Sequence, residues 1–235
     1  ASSTVAIAQT SVVDLVNPII GTNGMGHTFP GACVPFGLVQ LSPDTDTIPH
    51  NVDGKYQPRS YEYCAGYQHK DSSIVGFSHT HFSGTGHSDL GDILIMPTTG
   101  TLKLNPGTAT NPDGGYRSRF SHGTEISRPG YYEVMLADYG VKAQLTTTQR
   151  VGIHKYTYPT NSENQRIILD MIHGIYNYDG KVLWTNIRVE NDTLVTGYRI
   201  TNGWARTNYT YFAMSFSKPI THYGCEEKAK VNYRG

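Results

Sequence analysis

The chain has 235 residues, and its 19 basic and 19 acidic side chains give a formal net charge of zero. This balance argues against a nucleic-acid-binding protein, which usually has a basic face, and against a polybasic membrane anchor. No apolar run approaches the roughly 18–20 residues that a transmembrane helix needs. Thr (26) and Tyr (17) outnumber Leu (12), Ala (11) and Glu (7) taken together, and 25 Gly and 12 Pro provide turns. This composition predicts a β protein.

Short apolar stretches separated by turn residues predict strands in chain order at 34–41, 74–82, 92–96, 131–138, 141–149, 167–172, 181–189, 193–201 and 207–217. The dipeptide Asn202-Gly203 predicts a tight hairpin, because both positions accept positive φ. The pattern predicts an antiparallel β-sandwich of two large sheets over residues 14–235, with a β-barrel as the alternative. Residues 1–13 precede the first clear element and are predicted to be extended or disordered.

The ends and the cysteines bear on the compartment of the protein. The chain starts at Ala1 without an intact signal peptide, which we interpret as a processed or trimmed start that permits export. Cys33, Cys64 and Cys225 are too few and too scattered for a disulfide framework, so the fold must be stabilised by its core.

Residues 21–31 form a glycine-rich segment with two candidate interpretations. Glycines allow the backbone to approach a ligand and to present N–H groups to it. The alternative is a tight corner between two strands. A dinucleotide-binding motif is excluded, because no helix follows the segment.

A second segment, Phe-Ser-His-Thr-His-Phe at 77–82, contains two histidines that would share a face of a strand. His79 and His81 could form half of a metal site that His87 with Asp89 or Asp92 would complete. The alternative is a pair of histidines that are hydrogen-bonded within a polar part of the core.

Two further loops are candidates for ligand binding. Residues 84–92 combine glycines, two carboxylates and an imidazole, which suits either a ligand clamp or a turn capped by Asp. A tyrosine-rich loop suits a sugar, because flat rings match the C–H face of a sugar and polar groups match its hydroxyls. Alternatively, these tyrosines line a loop edge. The loop contains Tyr56, Arg59, Tyr61, Glu62, Tyr63, Tyr67 and His69.

Five segments in order carry a resemblance to a known family. They read VNPIIGT at 16–22, GHTFPG at 26–31, VPFGLVQLSPDT at 34–45, IVGFSHTHFSGTG at 74–86 and GDILIMP at 91–97. Together they resemble the N-terminal domain of bacterial glycoside hydrolase family 92, the calcium-dependent exo-α-mannosidases. The resemblance implies a β-supersandwich related to galactose mutarotase-like domains, packed against a C-terminal (α/α)6 catalytic domain that this chain does not contain.

The resemblance also implies a function. Family members are inverting hydrolases that remove terminal mannose from glycans such as N-glycan mannans; α-1,2 linkages are the default expectation and α-1,3 linkages remain open. The catalytic acid (a Glu), the base (an Asp) and most Ca²⁺ ligands are expected in the helical domain, so we assign no catalytic or metal residue here. The implied location is outside the cytoplasm, in the periplasm or at the surface of a bacterium.

In this interpretation the sandwich completes the substrate pocket and is inactive by itself. The expected sugar-binding residues are Gly26, His27, Phe29, His79, His81, Gly84, Thr85, Gly86, His87, Ser88 and Asp89. One alternative is a stand-alone carbohydrate-binding module. Another is a mutarotase-like epimerase, in which His79 or His81 would act with a carboxylate as acid and base. A domain that packs on a helical partner is also expected to expose an apolar face.

Overall fold

The computed structural model describes residues 11–84 and 89–226. Within them, sixteen strands are connected by turns and short 3₁₀ helices, and every strand ladder is antiparallel. The 3₁₀ helices are Val12–Leu15, Pro58–Tyr63, Pro112–Gly114 and His122–Thr124. The strands are β1 (Ala32–Cys33), β2 (Gln40–Asp44), β3 (Asn51–Val52), β4 (Lys55–Tyr56), β5 (Ser73–Ile74), β6 (Gly76–Ser78), β7 (Leu94–Thr98), β8 (Ser118–Arg119), β9 (Ile126–Arg128), β10 (Tyr131–Leu136), β11 (Val141–Thr147), β12 (Gly152–Thr157), β13 (Arg166–Asp170), β14 (Val182–Asn191), β15 (Leu194–Thr201) and β16 (Asn208–Ser215).

Two sheets enclose the hydrophobic core. One has the strand order β1-β2-β6-β7-β13, and the other has the order β12-β11-β10-β9. Strands β10 and β11 alternate strictly between buried and partly buried residues, as a strand does when one face packs on a core. The buried cluster includes Leu41, Phe77, Leu94 and Met96 from the first sheet and Tyr132, Val134, Leu136, Val141, Ala143 and Leu145 from the second.

A third sheet of three strands, β14-β15-β16, follows the sandwich in the chain. A buried arginine on β15, Arg199, ties it to the sandwich, because the guanidinium donates to the carbonyl oxygens of Met171 and His173. Within the described residues, no helix is long and apolar enough to cross a membrane. The all-β antiparallel prediction is confirmed, and most predicted strands overlap an observed one.

The strand predicted at 34–41 is wrong in position. Phe36 has φ of +58° and sits in a turn, so the extended strand β2 begins only at Gln40 and continues through Pro43. Pro43 pairs with Phe77, although the Ser-Pro-Asp sequence predicted a turn there. The strand predicted at 74–82 is also shorter, because β6 ends at Ser78.

The tight hairpin predicted at Asn202-Gly203 is wrong. Neither residue adopts positive φ, and residues 202–207 form a wider connection between β15 and β16. The physical reason lies elsewhere in the chain: the carboxylate of Asp89 binds the backbone of this connection and holds it open. Residues 1–10 of the segment predicted to be extended or disordered lie outside the described residues. The rest of that segment enters the first 3₁₀ helix, which Ser11 caps.

Candidate substrate-binding loops

The glycine-rich segment 21–31 folds back on itself in a way that requires glycine. A Cβ atom at Gly26 would lie 2.1 Å from the carbonyl oxygen of Gly21, so no other residue fits there without a shift of the backbone. His27 has φ of +52°, and its carbonyl oxygen accepts a hydrogen bond from the Gly84 N–H at 2.8 Å. The two predicted binding loops, 21–31 and 84–92, therefore touch each other.

The aromatic residues of this segment pack against the protein. The His27 ring lies edge-on to Tyr61 with 4.6 Å between ring centroids, and the Phe29 ring lies 5.4 Å from that of His81. His27 is buried and Phe29 is half-buried. Gln68 holds the other side of the loop, since its side-chain amide donates to the Gly24 carbonyl at 2.9 Å. The loop is thus braced from two sides.

His81 belongs to a buried polar network. Its Nδ1 donates to the Gln40 carbonyl at 2.7 Å, and its Nε2 donates to Asp44 Oδ1 at 2.9 Å. Both ring nitrogens thus face oxygen acceptors. The other oxygen of Asp44 accepts from His173 Nε2 at 2.7 Å. Burial alone would raise the pKa of Asp44, but the interactions with His81 and His173 lower it below its usual value.

His79 has different partners from His81. Its Nδ1 donates to the Ile93 carbonyl at 2.7 Å, and its Nε2 lies 3.0 Å from His154 Nε2. Burial lowers the pKa of His79 to about 4, so the ring is neutral at neutral pH. Among the described residues, His79 and His81 belong to no cluster of three metal-ligating side chains, and both follow the end of β6 rather than lying on it. The structure instead agrees with hydrogen-bonded histidines in a polar part of the core.

Asp89 organises an aromatic residue that sequence reasoning missed. Its Oδ1 accepts a hydrogen bond from the backbone N–H of Trp204, and its Oδ2 accepts one from the backbone N–H of Ala205, both at 2.7 Å. Trp204 is 71% exposed and lies beside predicted binding loop 84–92 through the contact of its backbone with Asp89. The predicted residues Thr85, Gly86, His87 and Ser88 lie outside the described residues.

A second buried ion pair supports the same region. Arg199 Nε lies 2.9 Å from Asp92 Oδ1 without the geometry of a hydrogen bond, and the Thr80 hydroxyl donates to Asp92 Oδ2 at 2.8 Å. Lys181 is buried nearby, and its burial lowers its pKa to about 8. No local motif marks Arg199 or Lys181, because their burial follows from the pairing of distant segments.

The carboxylates next to the two loops share one property: both oxygens of each contact the protein. Asp44 is bound by two histidines, Asp89 by two backbone N–H groups, and Asp92 by a hydroxyl and an arginine. A general acid or base must reach a substrate proton or an attacking water. In this structure the three side chains position the loops.

Comparison with known proteins decides the family. Residues 15–234 match the family described as "Glycosyl hydrolase family 92 N-terminal domain". The chain belongs to this family. The resemblance noted from the five sequence segments is confirmed.

Relatives of known structure agree with this assignment. A family GH92 alpha-mannosidase from Bacteroides thetaiotaomicron, solved in complex with mannoimidazole, is 45% identical with a TM-score of 0.80, over 89% of this chain and 26% of that one. A GH92 family glycosyl hydrolase with 24% identity and a TM-score of 0.64, over 86% of this chain and 26% of that one, shares the fold. An "Uncharacterized secreted glycosidase" of Arthroderma benhamiae is 29% identical over 160 residues, which are 64% of this chain and 18% of that protein. The chain thus spans about a quarter or less of the length of these relatives.

The tyrosine-rich loop of this family member is mostly structural. Tyr63 and Tyr67 are buried, and their hydroxyls donate to Asp71 and Glu125. The prediction of a sugar-binding tyrosine cluster is therefore wrong for these two residues. Tyr56 is exposed and pairs with the ring of His50, while Tyr61 is half-buried against His27.

Proposed function

We propose that this chain is the N-terminal domain of an exo-acting α-mannosidase that removes terminal mannose from glycans with inversion of configuration. The observation that carries the proposal is family membership over residues 15–234, together with 45% identity to an alpha-mannosidase structure. We propose α-1,2-linked mannose as the substrate. The geometry does not favour an epimerase, because the His81–Asp44 pair is fully buried and, among the described residues, the ring nitrogens of His79 face the Ile93 carbonyl and His154.

Inversion requires a particular arrangement of carboxyl groups. An acid and a base must stand roughly 6.5–9.5 Å apart, with a water between the base and the anomeric carbon. In residues 11–84 and 89–226, the carboxylates beside the predicted loops are all bound by protein groups. We therefore propose that the acid Glu and the base Asp lie in a C-terminal (α/α)6 domain of the same polypeptide.

The proposed Ca²⁺ follows the same division. Calcium takes six to eight oxygen ligands, and every carboxylate oxygen of Asp44, Asp89 and Asp92 already faces a protein donor or the Arg199 guanidinium. Its ligands would therefore come mainly from the helical domain, where the ion would bind hydroxyls of the terminal mannose.

We propose that the protein is exported. The description of the fungal relative as a secreted glycosidase supports this, and a bacterial periplasm or cell surface fits the bacterial α-mannosidase.

The role of this chain would be to complete the substrate pocket. Loops 21–31 and 84–92 are in contact through His27 and Gly84, and Asp89 places Trp204 next to the second loop. A flat indole matches the C–H face of a sugar, so we propose that Trp204 stacks on the sugar that leaves after hydrolysis.

Exposed apolar side chains support docking on a second domain. Phe36 is fully exposed at φ of +58°, a conformation that a bulky residue rarely adopts. Other exposed apolar residues in the same N-terminal part are Val12, Leu15, Ile20, Met25 and Leu38. Burial of such side chains against the helical domain would remove them from water and stabilise the proposed two-domain assembly.

The test uses the polypeptide in which this chain precedes its helical domain. Trp204→Ala should lower kcat/KM for α-1,2-mannobiose by about tenfold, consistent with loss of roughly 1.4 kcal/mol of stacking. It should leave hydrolysis of a nitrophenyl α-mannoside nearly unchanged, because that substrate lacks the leaving-group sugar. Trp204→Phe keeps a flat ring and is the matched control. Mannan binding by the chain with no hydrolysis by the longer polypeptide would instead support a carbohydrate-binding module.

A further inference from the structure

Three side chains able to ligate a metal lie together away from the buried Asp44 network. They are His69, His122 and Glu125, and one ligand atom of each lies within 4.8 Å of the other two. His122 begins the 3₁₀ helix His122–Thr124 and Glu125 follows it directly, whereas His69 comes from a loop more than fifty positions earlier. The fold therefore assembles this cluster from two distant segments.

The hydroxyls of two tyrosines hold the Glu125 carboxylate in place. Its side chain is 3% exposed, and it accepts hydrogen bonds from the hydroxyls of Tyr67 at 2.9 Å and Tyr132 at 2.6 Å. The carboxylate is thus oriented before any ligand arrives, which is what supporting residues do around a metal.

The two imidazoles complete the donor set. Their ring centroids are 3.9 Å apart with an interplanar angle of 32°, and His122 Nδ1 donates to Glu125 Oε2 at 2.7 Å. His69 Nδ1 is buried and has no hydrogen-bond partner among the described residues. A buried ring nitrogen without a hydrogen-bond partner is available as a ligand.

We propose that His69, His122 and Glu125 bind a divalent transition metal of the zinc class. Two imidazole nitrogens and one carboxylate suit zinc, whereas calcium and magnesium prefer oxygen ligands alone. The side chain of His122 is 37% exposed, which gives a route for the ion and leaves room for water as a fourth ligand.

Binding would need only local adjustment. Zinc ligands at about 2.0–2.1 Å lie roughly 3.3 Å from one another, so ligand atoms that lie within 4.8 Å of one another must draw together by at most about 1.5 Å. The proton of His122 Nδ1 moves to Nε2, and the metal then takes the place of the hydrogen bond to Glu125. The exposed His122 ring can rotate to allow this.

The site lies next to the glycine-rich loop. The backbone N–H of His69 donates to the Thr22 carbonyl at 2.8 Å, and the neighbouring Gln68 holds Gly24. A bound metal would therefore cross-link the segment that carries His69, which is hydrogen-bonded to the 21–31 loop, to the start of β9. We assign it the role of a structural brace, independent of hydrolytic activity.

The test is zinc titration of the chelator-treated chain by calorimetry, with Co²⁺ absorption as a report on ligand geometry. We expect one equivalent of Zn²⁺ to bind, excess Ca²⁺ to leave it bound, and the melting temperature to rise. His122→Gln, at an exposed turn, should weaken binding about a hundredfold. His222→Gln changes an exposed histidine outside the cluster and should bind zinc like the wild type.

The second ligand variant, His69→Gln, should also lose zinc, and circular dichroism shows whether each variant is folded. If His122→Gln does not fold, the isosteric Glu125→Gln takes its place. The proposal is overturned if the folded wild type binds no zinc, if Ca²⁺ displaces it, or if the folded ligand variants bind zinc as tightly as the wild type.

Discussion

Replacing Asp44 by Asn removes one negative charge from the centre of the buried network while keeping the side-chain shape. Asp44 accepts from His81 Nε2 at 2.9 Å and from His173 Nε2 at 2.7 Å, and all three side chains are almost fully buried. The amide NH₂ of Asn would face one imidazole donor and leave it unsatisfied. Removing one partner of a buried ion pair costs about 3–5 kcal/mol. For a chain of this length, that cost lowers the melting temperature by about 6–20 °C.

The assay is thermal unfolding followed by circular dichroism. Asp53→Asn is the matched control, because Asp53 is exposed in the turn between β3 and β4 and already has φ of +51°. Since the pKa of Asp44 is lowered in the folded state, its stabilising contribution is present above about pH 4, near the usual value of 3.8, and is lost as the pH falls further. The difference between Asp44→Asn and wild type should therefore narrow below that pH. A melting temperature equal to that of Asp53→Asn at neutral pH would refute the reasoning.

Two other substitutions test the buried polar groups. Gly66→Ala should destabilise the fold by about 3 kcal/mol or more in urea unfolding, because φ is +82° and the new Cβ would lie 2.1 Å from Asp44 Oδ1. The control is Gly54→Ala, where φ is +74° and no atom lies within 4 Å of the new Cβ. It should cost only about 1–2 kcal/mol. Burial lowers the pKa of Lys181 from 10.5 to about 8. Between pH 8 and pH 10.5 the unfolded chain therefore binds more protons than the folded chain. The free energy of unfolding of the wild type should rise by up to about 3 kcal/mol as the pH increases through this range. Lys181→Met should abolish this rise. The control is Lys70→Met, at a side chain that is 45% exposed, and it should keep the rise. Equal pH profiles of stability for the two variants would contradict the assignment of the rise to Lys181.

Much of the sandwich could be predicted because local pattern and burial agree. Strands β10 and β11 alternate in sequence as they alternate between core and surface, so their positions follow from residue type alone. The connection at 202–207 could not be predicted in this way. Its shape depends on Asp89, more than a hundred positions earlier, and a dipeptide rule contains no information about such a contact.

The candidate site was predictable only where the family motifs extend. They pointed to loops 21–31 and 84–92, and in the structure these two loops meet through His27 and Gly84. They did not indicate that His81 is bound by Asp44 or that His173 joins it from a position 129 residues away. Pairings of this kind arise from the three-dimensional packing of strands, and no spacing along the chain announces them.

The central claim is that this chain completes the pocket of an inverting α-mannosidase whose carboxyl groups lie in a following domain. The most direct measurement is proton NMR of α-1,2-mannobiose hydrolysis with Ca²⁺ present, comparing the two-domain polypeptide with the 235-residue chain. We expect the longer polypeptide to release mannose first as the β-anomer and the chain by itself to show no turnover. Release of the α-anomer, or hydrolysis by the chain alone, would contradict the account.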